Sequence, residues 1–321
     1  MRVAILDDYQ QVALASANWP DAEYTVFSEH IARTQPLVRA LEPFDVIVAM
    51  RERTSFSAER LSLLPHLKLL VTTGMANAAI DMQAARARGI AVCGTGGAKG
   101  ATAELTWALI LAVTRHIPAE DGRMKAVGRA GGAAMSGGWQ HTVGTGLHGK
   151  HLGILGLGNQ GRAVAKVGRA FGMKLLAWSQ NLDPAAAAKA HAEAVAKQEL
   201  FARSDVVSVH YKLSERSTGL VGAAELVQMK RTAYLINTSR GPIVDNVALL
   251  TALRTGAIAG AGLDVYDTEP LPLSHPLRKL DNVVLTPHLG YVTDDTYQVF
   301  FGEAAEDIAA FAAGEPVRVL N

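Results

Sequence analysis

The sequence predicts an α/β protein built from two doubly wound parallel-sheet domains. Short apolar, β-rich runs alternate with helical patterns along the chain, and the alternation restarts at residue 151 with a glycine-rich turn behind its first strand. The 321 residues are enough for two separate cores.

The first series of runs is RVAILDD (2–8), TVFSE (25–29), DVIVAMR (45–51), LKLLVTT (67–73) and IAVCG (90–94), with helical stretches such as AERLSLL and DMQAARARG between them. These five strands predict a smaller, flavodoxin-like α/β domain. Residues 102–114 (TAELTWALILAVT) are apolar nearly all round, which predicts a helix buried between other elements. Residues 131–146 (GGAAMSGGWQHTVGTG) are glycine-rich and predict a long surface excursion. Nearby His141, His148 and His151 fit no metal-ligand spacing and read as solvated loop histidines.

The second series is HLGILGLG (151–158), KLLAWSQ (174–180), VVSVHYK (206–212), AYLINTS (233–239), GAGLDVY (260–266) and VVLTPH (283–288). Six strands with helical connections match a doubly wound dinucleotide fold. Residues 294–313 are amphipathic: Tyr297, Phe301, Ala304, Ile308 and Phe311 share one face. Asp294 and Asp295 suit the start of this helix, and Gly314 suits its end. Coming after the sixth strand, it is expected to cross back to the first domain. That domain is then discontinuous, 1–100 with 290–321, around a cofactor domain at 101–289.

The composition, 49% hydrophobic and 19% charged, is that of a folded globular chain. A formal net charge of +1 without long runs of one sign lacks the footprint of a nucleic-acid binder. Cys93 is the single cysteine, so no intrachain disulfide can form. The N-terminal apolar stretch 3–6 is too short for a signal-peptide core, and the longest apolar run, 105–114, is shorter than the roughly 20 residues of a membrane span. These features predict a soluble, cytoplasmic protein with no membrane, nucleic-acid or metal partner.

Gly156-Leu157-Gly158-Asn159-Gln160-Gly161 follows an apolar strand and opens a helical pattern with Val164, Val167 and Phe171 on one face. The first glycine allows a tight turn, the second lets a pyrophosphate approach the backbone, and the third lets helix and strand pack closely. The helix start then offers unpaired N–H groups and a positive dipole end to phosphates. This is the fingerprint of a Rossmann cofactor domain. The next strand ends at Trp178-Ser179-Gln180-Asn181, with Asp183 slightly late for a ribose-binding carboxylate. No lysine or arginine lies between 175 and 188 to meet a 2′-phosphate. NAD is favoured and NADP stays open.

Ligands of a doubly wound sheet bind beyond the carboxyl ends of its strands. Here those ends carry Ser179, His210, Thr238, Ser239, Arg240, Asp264 and His288, with Glu269 just after the fifth strand. Hydride transfer to a 2-oxo acid needs a cation for the carboxylate and carbonyl, a proton donor, and a group that orients the donor. Arg240 has the fork that matches a carboxylate. His288 exchanges protons near neutral pH, and Glu269 can hold an imidazolium.

HGKHLGILGLGNQG (148–161), YLINTSRGPIVD (234–245), AGLDVYDTEPL (261–271) and TPHLGY (286–291) resemble, in order, the motifs of the D-isomer-specific 2-hydroxyacid dehydrogenases. The resemblance covers essentially the whole chain. It implies an oxidoreductase that passes a hydride between a nicotinamide cofactor and a D-2-hydroxy acid or its 2-oxo acid. Arg240, Glu269 and His288 would be catalytic, with His288 the proton donor in reduction. Cofactor contacts would come from Asn159, Gln160, Ser179, Thr238, Ser239, Arg240 and His288. Asp264 would meet the nicotinamide amide, Gly290 the ring, and His210 the adenosine side.

The resemblance also places the substrate carboxylate on the backbone of Gly74, Met75 and Ala76 together with Arg240. The chain departs from the family there: Ala76 replaces a frequent second glycine, Ala78-Ala79 replace an Asp-Asn type pair, and Tyr291 is bulkier than usual. Arg51 and Arg53 read as exposed loop charges, with substrate contact as the other reading. The family further implies a cleft that closes over a small-molecule substrate, and a homodimer formed through the cofactor domain with help from 102–148. The chain ends soon after the last helix, without the regulatory domain of some phosphoglycerate dehydrogenases, which points away from serine synthesis. Glu269 in DTEP disfavours formate-dehydrogenase-like chemistry. The reading from another class is an NAD(H)-sensing, co-repressor-like binding protein on the same fold.

Overall fold

The computed structural model describes residues 1–129 and 139–321, so much of the glycine-rich excursion lies outside the described residues. The chain divides into two compact units: Met1–Lys99 with Tyr291–Asn321, and Gly100–Gly290.

The first unit begins with β1 (Arg2–Ile5), β2 (Glu23–Val26), α1 (Thr34–Leu41), β3 (Val46–Ala49), α2 (Ala58–Ser62), β4 (Leu69–Thr72), α3 (Met82–Ala87) and β5 (Ala91–Gly94). Its strands are all parallel, in the order β2-β1-β3-β4-β5. Every residue of β3 and β4 is buried, which is why both read as unbroken apolar runs. The strands stop short of the runs because the chain turns at polar residues. Asp7 and Arg51 sit just beyond β1 and β3 in the left-handed region, at φ 59° and 50°.

The second unit opens with α4 (Ala101–Thr114) and α5 (Ile117–Arg129). It continues with β6 (His151–Leu155), α6 (Asn159–Ala170), β7 (Lys174–Trp178), α7 (Pro184–Lys189), β8 (Ala192–Ala194), α8 (Lys197–Arg203) and β9 (Val206–Val209). It closes with α9 (Ala223–Leu226), β10 (Tyr234–Asn237), α10 (Asn246–Arg254), β11 (Gly260–Leu263) and β12 (Val283–Leu285). The sheet has seven strands in the order β12-β11-β10-β9-β6-β7-β8, one more than the sequence predicts. The extra strand, β8, is an edge of three residues (AEA) of which only Ala192 is buried, so it carries no apolar run.

Helix α4 buries Trp107, Leu109, Ile110 and Val113 with Leu152, Ile154 and Val164. It can lie this close to the sheet because β11 carries glycine: a Cβ on Gly262 would stand 3.0 Å from Leu109 Cβ. His151 is not a solvated loop residue. It opens β6, is partly buried, donates its N–H to Asp205 Oδ2 (2.8 Å), and burial lowers its pKa.

The last helix, α11 (Asp294–Ala312), lies in the first unit. Tyr297, Phe300, Phe301, Ala304 and Ile308 join Val3, Ile5, Val46, Val48 and Val71 in one core. Asp307, fully buried on the same helix, receives Arg318 Nε at 2.9 Å. The terminal residues then edge the sheet, with Leu320 N–H on Val92 O (2.8 Å). No helix among the described residues is long and apolar enough to cross a membrane.

Candidate active site

Register fixes where the predicted site residues stand. Trp178 pairs with Leu155, Leu155 with Val209, Val209 with Asn237, Asn237 with Leu263, and Leu263 with Leu285. Six strands therefore end in one row. Ser179, Gly156, His210, Thr238, Asp264 and Thr286 are the next residues along it. From β6 the chain runs outward to β7 and β8, then returns to β9 on the other side. The β6–β9 boundary is thus a topological switch point, where doubly wound folds take ligands.

The glycines behind β6 divide into two kinds. Gly156 has φ 100°, and a Cβ there would stand 2.6 Å from His210 O. A Cβ on Gly161 would stand 2.1 Å from Gly156 O. Both are required by the chain's own packing. A Cβ on Gly158 would meet no described atom within 4 Å, so nothing among the described residues requires that glycine. Gly158 is also the N-cap of the 12-residue α6 and supplies no side-chain cap to its N–H groups. Open space against uncapped N–H groups fits a dinucleotide's pyrophosphate.

Ser179 Oγ accepts the Leu157 N–H at 3.3 Å, steadying this loop from β7. The Trp178 and Tyr211 rings stack at 5.9 Å, and Tyr211 Oη accepts Gln180 N–H at 2.8 Å. Asp183 caps α7 by accepting Ala185 N–H at 2.9 Å. His210 Nε2 lies 2.8 Å from Ser208 Oγ, and burial pushes its pKa down to about 4, so its ring is neutral at neutral pH.

Beyond β10, the Asn237 amide brackets the arginine turn: Nδ2 donates to Arg240 O and Oδ1 accepts Ser239 N–H, each at 3.0 Å. The Ser239 hydroxyl donates to Tyr211 O, and Thr238 Oγ1 lies 2.7 Å from Thr106 Oγ1 of α4. Arg240 Nη1 donates to its neighbour's carbonyl, Ser239 O, at 2.8 Å.

Beyond β11, Asp264 is fully buried, and burial raises its pKa against the pull of its donors. Its Oδ1 accepts Thr286 Oγ1–H (2.6 Å) and Leu289 N–H (2.7 Å), and its Oδ2 accepts Gly290 N–H (2.9 Å). These bonds shape the turn that carries His288, whose φ of 55° is uncommon for a residue with a side chain. His288 Nδ1 lies 2.6 Å from Glu269 Oε2, while Glu269 Oε1 accepts Tyr266 N–H at 2.9 Å. With Nδ1–H directed at a carboxylate, Nε2 is the ring atom left to exchange a proton.

In the first unit, the loop behind β4 is ordered from several sides. Gly74, one of the three residues whose backbone is expected to meet the substrate, has φ 103° and gives its N–H to Thr95 Oγ1 at 2.9 Å. The N–H groups of Met75 and Ala76 have no partner among the described residues. Asn77 Nδ2 donates to Arg51 O (2.7 Å) and Thr72 Oγ1 (2.8 Å). Arg51 and Arg53 are not plain exposed charges. Arg51 Nη1 donates to Thr73 O at 3.1 Å; Arg53 Nη1 donates to Asp7 O at 2.8 Å, with its guanidinium 4.6 Å from the Tyr9 ring centroid and 5.5 Å from that of Tyr291.

Sequence reasoning assigns no role to Asn237, Tyr266 or Thr286. Asn237 had a local signal, because asparagine before Thr-Ser favours a side-chain-closed turn. The bonds from Tyr266 to Thr286 and from Thr286 to Asp264 span 20 and 22 residues, between the ends of neighbouring strands, and had none.

Residues 107–290 match the family model described as D-isomer specific 2-hydroxyacid dehydrogenase, NAD binding domain. A glyoxylate reductase of Aeropyrum pernix is 36% identical, over 99% of this chain and 89% of the relative. A glyoxylate reductase of Thermococcus litoralis is 41% identical, over 82% of this chain and 80% of the relative. Among solved structures, a phosphoglycerate oxidoreductase from Vibrio cholerae superposes with a TM-score of 0.91 at 36% identity, covering 98% of this chain and 99% of that one.

Proposed function

Because the chain belongs to the D-isomer-specific 2-hydroxyacid dehydrogenases, an NAD-dependent class of oxidoreductase, we propose that it reduces a small 2-oxo acid through Arg240, His288 and Glu269. One observation carries this reading: the His288–Glu269 pair at 2.6 Å, at the carboxyl edge of the sheet that also carries the glycine loop. Arg240 holds the substrate carboxylate and polarises the carbonyl. As the carbonyl becomes an alkoxide, His288 Nε2 gives it a proton, and Glu269 holds the ring by Nδ1 throughout. When bound at the glycine loop, NADH would supply the hydride.

The dinucleotide is assigned to Gly156, Gly158, Asn159, Gln160 and Gly161 at its pyrophosphate, to Ser179 and His210 on its adenosine side, and to Thr238, Ser239, Asp264 and Gly290 near the nicotinamide. Asp264 can serve it only alongside its three bonds to the histidine turn. In the first unit, the Met75 and Ala76 N–H groups are assigned to the substrate carboxylate. Two relatives bear the name glyoxylate reductase, which makes glyoxylate the first substrate to try. The same reading includes a homodimer formed through the cofactor domain with help from 102–148, where Ile117, Met124, Trp139 and Val143 are exposed.

The test is oxidation of NADH, and separately of NADPH, against glyoxylate and a panel of larger 2-oxo acids. Wild type is expected to turn over with NADH, and His288→Ala to lose about 10²–10⁴-fold in kcat. Undiminished turnover by His288→Ala, or NADH binding with no turnover of any panel member by wild type, would sink the assignment.

A further inference from the structure

The glutamate and the histidine of the proposed catalytic set both lean on one residue that the chemistry does not use. Tyr266 follows β11 by three positions. Its backbone N–H holds Glu269 Oε1 at 2.9 Å, leaving Oε2 for His288. Its hydroxyl lies 3.1 Å from Leu263 O and 2.9 Å from Thr286 O, so one O–H is shared between the carbonyls that end β11 and follow β12. Thr286 opens the turn whose third residue is His288. Its backbone also packs against the arginine turn: a Cβ on Gly241 would stand 2.1 Å from Tyr266 C and 2.3 Å from its O.

From these contacts we infer that Tyr266 is a positioning residue, setting the Glu269 carboxylate against His288 by tying the glutamate loop to the histidine turn through its hydroxyl. The inference rests on the His288–Glu269 reading above and deepens it. The phenol is suited to the task. Its ring is partly buried beside Asp264 and Glu269, with Arg278 as the nearby cation, and burial first, then the two carboxylates, hold its pKa well above the usual range. It therefore remains an O–H donor wherever the enzyme works. The two carbonyls it reaches are main-chain groups that set the direction of both loops. Losing this bond shifts the loops relative to each other rather than unfolding either, because the parallel ladder between β11 and β12 does not depend on it.

Phenylalanine is the informative substitution, since it keeps the ring and the backbone N–H and removes only the hydroxyl. In Tyr266→Phe, kcat for 2-oxo acid reduction is expected to fall about tenfold with KM changed less than about twofold, as for a small misplacement of a proton donor. The alkaline limb of the reduction pH profile should move to lower pH, because an imidazolium less closely held by its carboxylate gives up its proton more readily. In a Glu269→Gln background the same change should cost less than about twofold, since the two act through one contact.

Three results overturn the inference: multiplicative losses in the double variant, an unmoved alkaline limb, or unchanged kcat in Tyr266→Phe. A lower Tm with an unmoved limb marks the hydroxyl as merely structural. The underlying reading fails separately, when His288→Ala stays active.

Discussion

At the carboxyl edge of the first sheet, the backbone is forced into the left-handed region at Asp7 and Arg51 (φ 59° and 50°); at the edge of the second, at His288 (φ 55°). The supports differ. Around Arg51 they are neutral and dispersed: its N–H goes to Thr73 Oγ1 and its carbonyl receives the Asn77 amide. Around His288 they converge on one buried carboxylate, Asp264, which accepts from Thr286, Leu289 and Gly290. A dispersed neutral network loses one bond at a time, whereas a turn built on one carboxylate loses its shape when that carboxylate goes. Substitutions at the second edge should therefore strike turnover, and those at the first edge substrate affinity.

The largest expected effect is at Asp264. Asp264→Ala leaves two N–H groups and a hydroxyl without their acceptor and removes the carboxylate on which the histidine turn is gathered. We expect kcat to fall by at least about 10²-fold and Tm to drop, read by steady-state kinetics and calorimetry. Retention of kcat within threefold would break the contrast, because the histidine turn would then be self-supporting.

Two glycines sharpen it. A Cβ on Gly158 would meet no described atom within 4 Å, but one on Gly74 would fall 1.6 Å from Arg51 Nη1. The first gap faces outward, and the second is filled by the chain itself. Gly158→Ala is expected to leave Tm almost unchanged and weaken NADH binding about tenfold or more, as for a methyl placed against a bound phosphate. Titration of intrinsic fluorescence reads it, and unaltered affinity would remove Gly158 from the cofactor site.

Asn77→Ala is next in size. It removes the amide that holds Arg51 O and Thr72 Oγ1, at about 1–3 kcal/mol of stability for buried groups left unpaired. KM for the 2-oxo acid should rise about tenfold with kcat little changed. A fall in kcat with constant KM would reverse the roles assigned to the two edges.

What the sequence could reveal follows from the range of each interaction. The buried strands and α4 were readable because burial on all sides leaves an apolar run of the element's own length. β8 was not, because an edge strand of AEA has no such run. Arg240, Glu269 and His288 were legible as residue types at strand ends, and the glycine loop by its spacing. The supports were not. Asp264 reads as a strand-end acid facing a ligand, yet its carboxylate faces inward to residues 22–26 positions later. Asp307 interrupts a face otherwise legible as apolar, and only Arg318, brought back by the terminal segment, makes its burial tolerable.

The smallest effect sets the two units against each other through pH. In the second unit, burial lowers His210 from its ordinary 6.5 to about 4. Between those values the unfolded chain binds more protons than the folded one, so this group's contribution to stability falls as pH drops through the window. In the first unit, burial raises Asp307 from its ordinary 3.8 to about 6. There the folded chain binds more protons, so the contribution of Asp307 grows as pH falls from 6 towards 3.8. Taking the protein from pH 7 to pH 5 should thus loosen the second unit and tighten the first. His210→Gln, whose amide can still reach Ser208 Oγ, should make Tm less sensitive to acid, and Asp307→Asn should make it more so, each by about 2–4 °C. Calorimetric scans at pH 5 and pH 7 measure both differences. Equal slopes in all three proteins would mean that neither burial is large enough to govern titration. Slopes that move from the wild-type value in the same direction in both variants would mean that the opposition between the units is wrong.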